Sequence, residues 1–203
     1  DDAAPGVTEI LAIGKLCHEV RERHYDLVIV DAEASGHIVA QIDAPRAIRE
    51  LVQVGMVRDQ TDWMLDILGD RERTGLVVVT TPEVSAVRDA DRIIGMLESM
   101  NKSPIRLVVN RLRPDLVKRG EMLSVQDVLD ILAVDLVGVV PNDDSVIDAA
   151  NKGEPLTLSS TTPASQAFIN IALRLLGEDV PFMDLSQEES AGFGKRLRKF
   201  LGF

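Results

Sequence analysis

Residues 76–109 read LVVVTTPEVSAVRDADRIIGMLESMNKSPIRLVV. Leu76–Thr80 and Ile105–Val109 are short, β-branched and almost continuously apolar, the pattern of strands covered on both faces. Between them Val84–Met100 carries a helical pattern. A strand, a helix and a strand at this spacing predict a parallel pair joined by a right-handed crossover. Working outward, Leu136–Val140 (LVGVV) and Tyr25–Val30 (YDLVIV) repeat the strand signal. Thr8–Arg23, Pro45–Val54, Asp59–Leu68, Ser124–Leu132, Ser145–Asn151 and Ala164–Leu176 read as helices. Ser124 with Asp127 behind it, and Thr162 before Pro163, supply caps for two of them. The expected fold is α/β, a mostly parallel sheet flanked by helices. The expected organisation is an α/β domain over residues 1–177, an acidic tether over 178–192 and an amphipathic helix over 193–203.

The composition fits one ordinary globular domain, with 45% apolar and 27% charged residues in a chain of 203. Aromatics make up only 3%, so Leu, Val, Ile, Ala and Met must build the core; Met96 and Met100, at helical spacing, are expected there. With 22 basic against 33 acidic residues the net charge is −11, which argues against nucleic acid as the main partner. No apolar run reaches the ~18 residues needed to cross a bilayer, and the first residues lack a signal-peptide pattern. The chain starts Asp1-Asp2 rather than with Met, as expected of a fragment or processed product. Cys17 is the single cysteine, which excludes an internal disulfide and fits a reducing cytoplasm. One cysteine and three histidines argue against a structural zinc site. Asp89 and Asp91 read as solvated surface residues.

The last eleven residues, Phe193 to Phe203 (FGKRLRKFLGF), depart from the acidic body. On a helix Phe193, Leu197, Phe200 and Leu201 form one apolar stripe, and Lys195, Arg196, Arg198 and Lys199 take the other side. A basic amphipathic helix of this kind is the pattern of a reversible anchor on anionic lipid, or else of a solubilising end that packs on its own acidic body.

In open α/β sheets ligands sit beyond the carboxyl ends of the strands. Asp31 follows Tyr25–Val30, the place where nucleoside triphosphatases hold Mg²⁺ through water, and Gly36 allows a mobile loop beside it. A strand-end Asp is also an ordinary helix cap. Asn110-Arg111 follow Ile105–Val109; an amide there both donates to and accepts from an adenine edge, or simply turns the chain. Pro141-Asn142-Asp143 follow the last strand, as a base-contacting loop or as the cap of the next helix.

Residues from about Thr80 onward resemble the MinD-type, division-site-positioning ATPases. The resemblance rests on TTPEVSAVRDADRIIGMLE, LVVNRLRPDLVKRGEMLSVQDVLDIL, LVGVVPNDDSVIDAANKGEPL and GFGKRLRKFLGF. The stretch YDLVIVDAEASGHIVAQIDAPRAIRELV resembles the related ArsA-type ATPases, whose loop reads Asp-Thr-Ala-Pro-Thr-Gly-His, so a hybrid chain is one expectation. The resemblance implies that Asp31 is the Mg²⁺-associated acid, Gly36 the switch glycine and Asn110 the adenine-reading amide. Arg111 and Pro141, Asn142 and Asp143 would flank the base. It implies ATP or ADP with Mg²⁺ as cofactors, a homodimer, regulatory partners of the MinC or MinE type, and a cytoplasmic protein peripheral on the inner face of the membrane through residues 193–203. Such ATPases carry a phosphate loop, Lys-Gly-Gly-x-Gly-Lys-[Ser/Thr], whose backbone N–H groups cradle phosphates. Here Gly14-Lys15 is followed by Leu16 and Gly194-Lys195 by Arg196, with Glu9 and Glu189 where the first glycine belongs. The expectation is therefore weak ATP hydrolysis by these residues and a sheet altered by the lack of the associated strand. The rival expectations are a non-catalytic membrane adaptor and an ArsA-type ATPase for metalloid efflux or delivery of tail-anchored proteins.

Overall fold

The structure, a computed structural model, describes residues 7–32, 37–52, 54–102 and 104–185. Its elements in chain order are α1 (Val7–Glu22), α2 (His37–Leu51), α3 (Met56–Gly69), β1 (Leu76–Thr80), α4 (Val84–Ser99), β2 (Ile105–Leu112), α5 (Pro114–Lys118), α6 (Val125–Leu132), β3 (Asp135–Pro141), α7 (Ser145–Lys152), α8 (Leu156–Ser159) and α9 (Pro163–Leu175). They form two compact units, one of residues 1–76 with 92–105 and one of residues 77–91 with 106–203.

In the first unit α1, α2 and α3 pack on one another. Ile13, Cys17, Met64, Ile67 and Leu68 form the core, and Ile10, Leu16, Val20 and Trp63 close it. The Lys102 ammonium donates to the Leu68 carbonyl at 3.3 Å. Burial lowers the Lys102 pKa, partly offset by Asp43. The Arg49 and Asp62 side chains pair between α2 and α3. Helix α2 begins eight residues before the expected Pro45, which sits inside it. A proline is favourable at a helix start, but here the preceding residues already form helix. Pro45 therefore removes one internal hydrogen bond.

Tyr25–Val30 is not a strand. Tyr25, Leu27, Ile29 and Val30 are 53–83% exposed, in chain without regular secondary structure that bends at Asp26. β-branched composition shows that a run suits a covered sheet, but a strand exists only with a hydrogen-bonding neighbour. Among the described residues no strand pairs with this run.

The second unit holds most of the sheet, which has three described strands in the order β1-β2-β3. β2 and β3 run parallel, with Leu107 opposite Leu136 and Val109 opposite Val139. β2 lies between its neighbours, and Leu107, Val108 and Val109 are buried, as its apolar sequence requires. At the sheet edge β1 leaves Val77 and Val79 exposed. Helix α9 packs on β3. Val108 of β2, Val137 and Val140 of β3, Ala149 of α7, Leu156 of α8 and Ala164 and Ala167 of α9 form the core here, with Val146, Ile171 and Met183 packed against it. Helix α4 buries Val87, Ala90, Ile94 and Leu97, so its inward face excludes Met96, which is 38% exposed. Met100 is half-buried. These two methionines share a spacing, but the stronger stripe on either side of them sets the rotation of the helix.

Both expected caps form. Ser124 Oγ accepts from the Asp127 N–H at 3.1 Å, while the Asp127 carboxylate accepts from the Ser124 N–H at 2.8 Å, a reciprocal capping box. Thr162 caps α9, with Pro163 in its first turn.

Candidate functional site

Strand β2 runs past Val109 to Leu112, so Asn110 and Arg111 lie within the strand rather than after it. The register slips between Val109 and Leu112, and Leu112 then pairs with Pro141. The Asn142 N–H donates to the Leu112 carbonyl at 2.8 Å. Pairing resumes only because Asn110 and Arg111 bulge out of the ladder. Arg111 takes a left-handed backbone, with φ 56°. For a side-chain-bearing residue that conformation costs about 1–2 kcal/mol, and such outliers concentrate at functional sites. The Arg111 N–H donates to Asn110 Oδ1 at 2.9 Å, which fixes the amide. That oxygen retains a second lone pair, and the Nδ2 group carries two donors. Asn110 is half-buried and Arg111 exposed, with Pro141 buried at the neighbouring strand end.

Asp143 follows on the same side, and its carboxylate is engaged. It accepts from the Ser145 N–H at 2.9 Å. Burial pushes the Asp143 carboxyl up, but hydrogen bonds from Ser145, the Thr162 hydroxyl and the Ala164 N–H outweigh that and hold it below the usual carboxylate range. Ser145 Oγ and Thr162 Oγ1 are 3.2 Å apart. Asp143 thus ties the starts of α7 and α9 together beside the Asn110 bulge. Asn142 stays exposed at the head of this loop. The structure thereby gathers Asn110, Arg111, Pro141, Asn142 and Asp143 at the carboxyl ends of β2 and β3.

Asp31 belongs to the first unit and is exposed, following the irregular run 25–30. Gly36 and the tail residues Phe193, Lys195, Arg196, Leu197, Arg198, Lys199, Phe200 and Leu201 lie outside the described residues. Among the described residues no helix is long and apolar enough to cross a membrane.

One residue in the second unit escapes sequence reasoning. The Arg174 guanidinium donates to the carbonyls of Val137, Val180 and Pro181, each at 2.8 Å. It also stacks 4.1 Å from the Phe182 ring centroid. It pins the chain leaving α9 back against β3. Nothing local in the sequence marks it, since its acceptors are set by tertiary structure.

A parallel sheet flanked by helices, with polar residues gathered at strand carboxyl ends, is the fold of the P-loop NTPase-like nucleotide-binding proteins. Residues 11–156 match the CobQ/CobB/MinD/ParA nucleotide-binding domain, and the chain belongs to that family. It is 48% identical over 127 residues to the septum site-determining protein MinD of Synechocystis, a match covering 62% of this chain and 48% of that protein. The chain spans about half the length of the curated relatives it matches. The MinD cell division protein of Aquifex aeolicus superposes with a TM-score of 0.63 at 35% identity, over 86% of this chain and 63% of that one. A MinC:MinD cell division protein complex from the same organism matches with a TM-score of 0.53 at 47% identity, over 54% of this chain and 46% of that one. The similarity to MinD-type proteins is thus not confined to the residues after Thr80.

Proposed function

We propose that the chain is the base-reading, membrane-tethering part of a MinD-type ATPase that serves in placing the division site. The observation that carries this reading is the bulge that forces Arg111 left-handed and holds Asn110 at the strand end, in a chain 48% identical to a septum site-determining protein.

The donor set fits an aminopurine. Asn110 Nδ2 donates to a ring nitrogen while Oδ1 accepts from the exocyclic amine. The Arg111 guanidinium and the loop Pro141, Asn142 and Asp143 flank the ring. Asp143 contributes mainly by holding that loop to α7 and α9. The exposed Asp31 carboxylate suits Mg²⁺, which keeps most of its waters and takes one or two carboxylates. Bound Mg²⁺ would neutralise phosphate charge. The 203 residues hold no phosphate-loop motif, so Asn110, Arg111 and the loop of Pro141, Asn142 and Asp143 orient the base rather than cradle phosphates.

Residues 193–203 bind the anionic inner face of the cell membrane. Each cation contributes about 1 kcal/mol near such a surface, so one tail binds weakly and the two tails of a homodimer bind far better. A MinC-type protein, as in the related complex, is the fitting partner, with a MinE-type regulator a second. The test of the site is titration with a fluorescent adenine nucleotide and Mg²⁺. Asn110→Ala should weaken binding about tenfold or more, the loss of one good base pairing. Equal affinity for the two proteins would rule out the base-reading role. Asp31→Ala measured for ATP turnover then separates an ATPase, whose rate falls, from an adaptor with no turnover to lose.

A further inference from the structure

Helix α9 carries a second apolar face apart from the residues it packs on β3. Phe168, Ile169, Leu175 and Leu176 are 36–66% exposed, and Ala172 is exposed among them. At helical periodicity these five lie within about 120° of one another. Phe168, Ala172, Leu175 and Leu176 stand at i, i+4, i+7 and i+8. Phe193, Leu197, Phe200 and Leu201 of the tail repeat that spacing.

We propose that this face of α9 is the resting dock of residues 193–203 of the same chain, so that lipid must displace the tail from its own domain. Charge supports the pairing: the stripe ends at exposed Glu178 and Asp179, and residues 193–203 hold four cations and no acid. Reach supports it too. Arg174 fixes Val180 and Pro181 to the flank of α9, and Leu185 lines a cavity there with Ala167, Asn170 and Arg174. The seven residues 186–192 extend to about 24 Å, enough to round a helix about 10–12 Å across. A tether that short holds the tail at roughly millimolar effective concentration, where a modest apolar contact suffices. The same four apolar side chains cannot face α9 and lipid at once, so the two sites compete. This inference deepens the membrane reading of the tail and rests on it.

The experiment uses the whole chain and Leu176→Glu, with Phe168→Glu as a second variant, since both positions are exposed and outside the core. Trypsin cleavage within Lys195–Lys199, followed by mass spectrometry without lipid, should speed up about fivefold in either variant. Binding to vesicles of phosphatidylglycerol and phosphatidylcholine at limiting lipid should rise by a similar factor. Equal cleavage rates in all three proteins overturn the dock, whatever the vesicles show. Protection that depends on protein concentration also overturns it, because a second copy would then hold the tail. Faster cleavage with no vesicle binding by any protein supports the dock while refuting the membrane reading.

Discussion

Gly138 of β3 lies so close under Ile171 of α9 that a Cβ there would stand 2.2 Å from Ile171 Cγ1 and 2.8 Å from Cδ1. The absent side chain lets α9 sit directly on the sheet and so sets the position of its outer face. Gly138→Ala should destabilise the protein by about 1–3 kcal/mol through overpacking, read by urea unfolding. Ile171→Ala in the same chain should recover part of that loss, a coupling expected of touching residues. A neutral Gly138→Ala would refute the close packing.

Arg174 should matter more than its place on a helix implies. Arg174→Met leaves the carbonyls of Val137, Val180 and Pro181 without their shared donor, at about 1–3 kcal/mol. Backbone amides of residues 178–183 should exchange with deuterium faster than those of β2. Arg174→Lys should restore little, because one ammonium cannot reproduce a planar fork serving three acceptors. Unchanged exchange at 178–183 would contradict the clamp.

Cys17 is fully buried, and burial pushes its thiol up to about 11 against the pull of Arg73 and Lys102. Native protein at pH 8 should react with an aromatic disulfide reagent far more slowly than urea-unfolded protein. The linkage sign follows, since a thiol raised in the folded state stabilises fully below its unfolded pKa of ~8.5. That contribution fades as pH climbs from there towards about 11. Rapid native labelling would show that α1 and α3 do not enclose the thiol.

Acid should act at the other end of the scale. Asp143 titrates below its usual value because its hydrogen bonds to Ser145, Thr162 and Ala164 outweigh burial. Asp127 does so through the Ser124 hydroxyl and N–H. Groups depressed in the folded state stabilise above the unfolded pKa of ~4 and lose that effect as pH falls through the folded value. Asp143→Asn should flatten the decline in melting temperature below pH 4. An unaltered acid limb would show that this carboxylate does not tie α7 to α9.

The sheet and the long helices were legible because burial leaves a periodic mark. Leu76–Thr80, Ile105–Val109 and Leu136–Val140 are apolar on both faces and form strands. Tyr25–Val30 carries the same mark without being a strand, since composition records what a run tolerates and not whether a partner edge exists. The bulge at Asn110-Arg111 was illegible because it depends on Leu112 meeting Pro141 at the end of β3 and Asn142 just after it. Helices α5 and α8, of five and four residues, are too short to show a period. Asn110 and the Pro141–Asp143 loop could be named from sequence, yet the cap network that occupies Asp143 could not, because Thr162 and Ala164 arrive from α9.

The central claim is that residues 193–203 tie a nucleotide-binding domain to lipid, and sedimentation with anionic vesicles tests it most directly. At low salt the chain should pellet with phosphatidylglycerol vesicles, release as salt rises, and lose binding on Leu197→Glu. A chain that stays in the supernatant at low salt, or that pellets equally well as Leu197→Glu, would contradict the account.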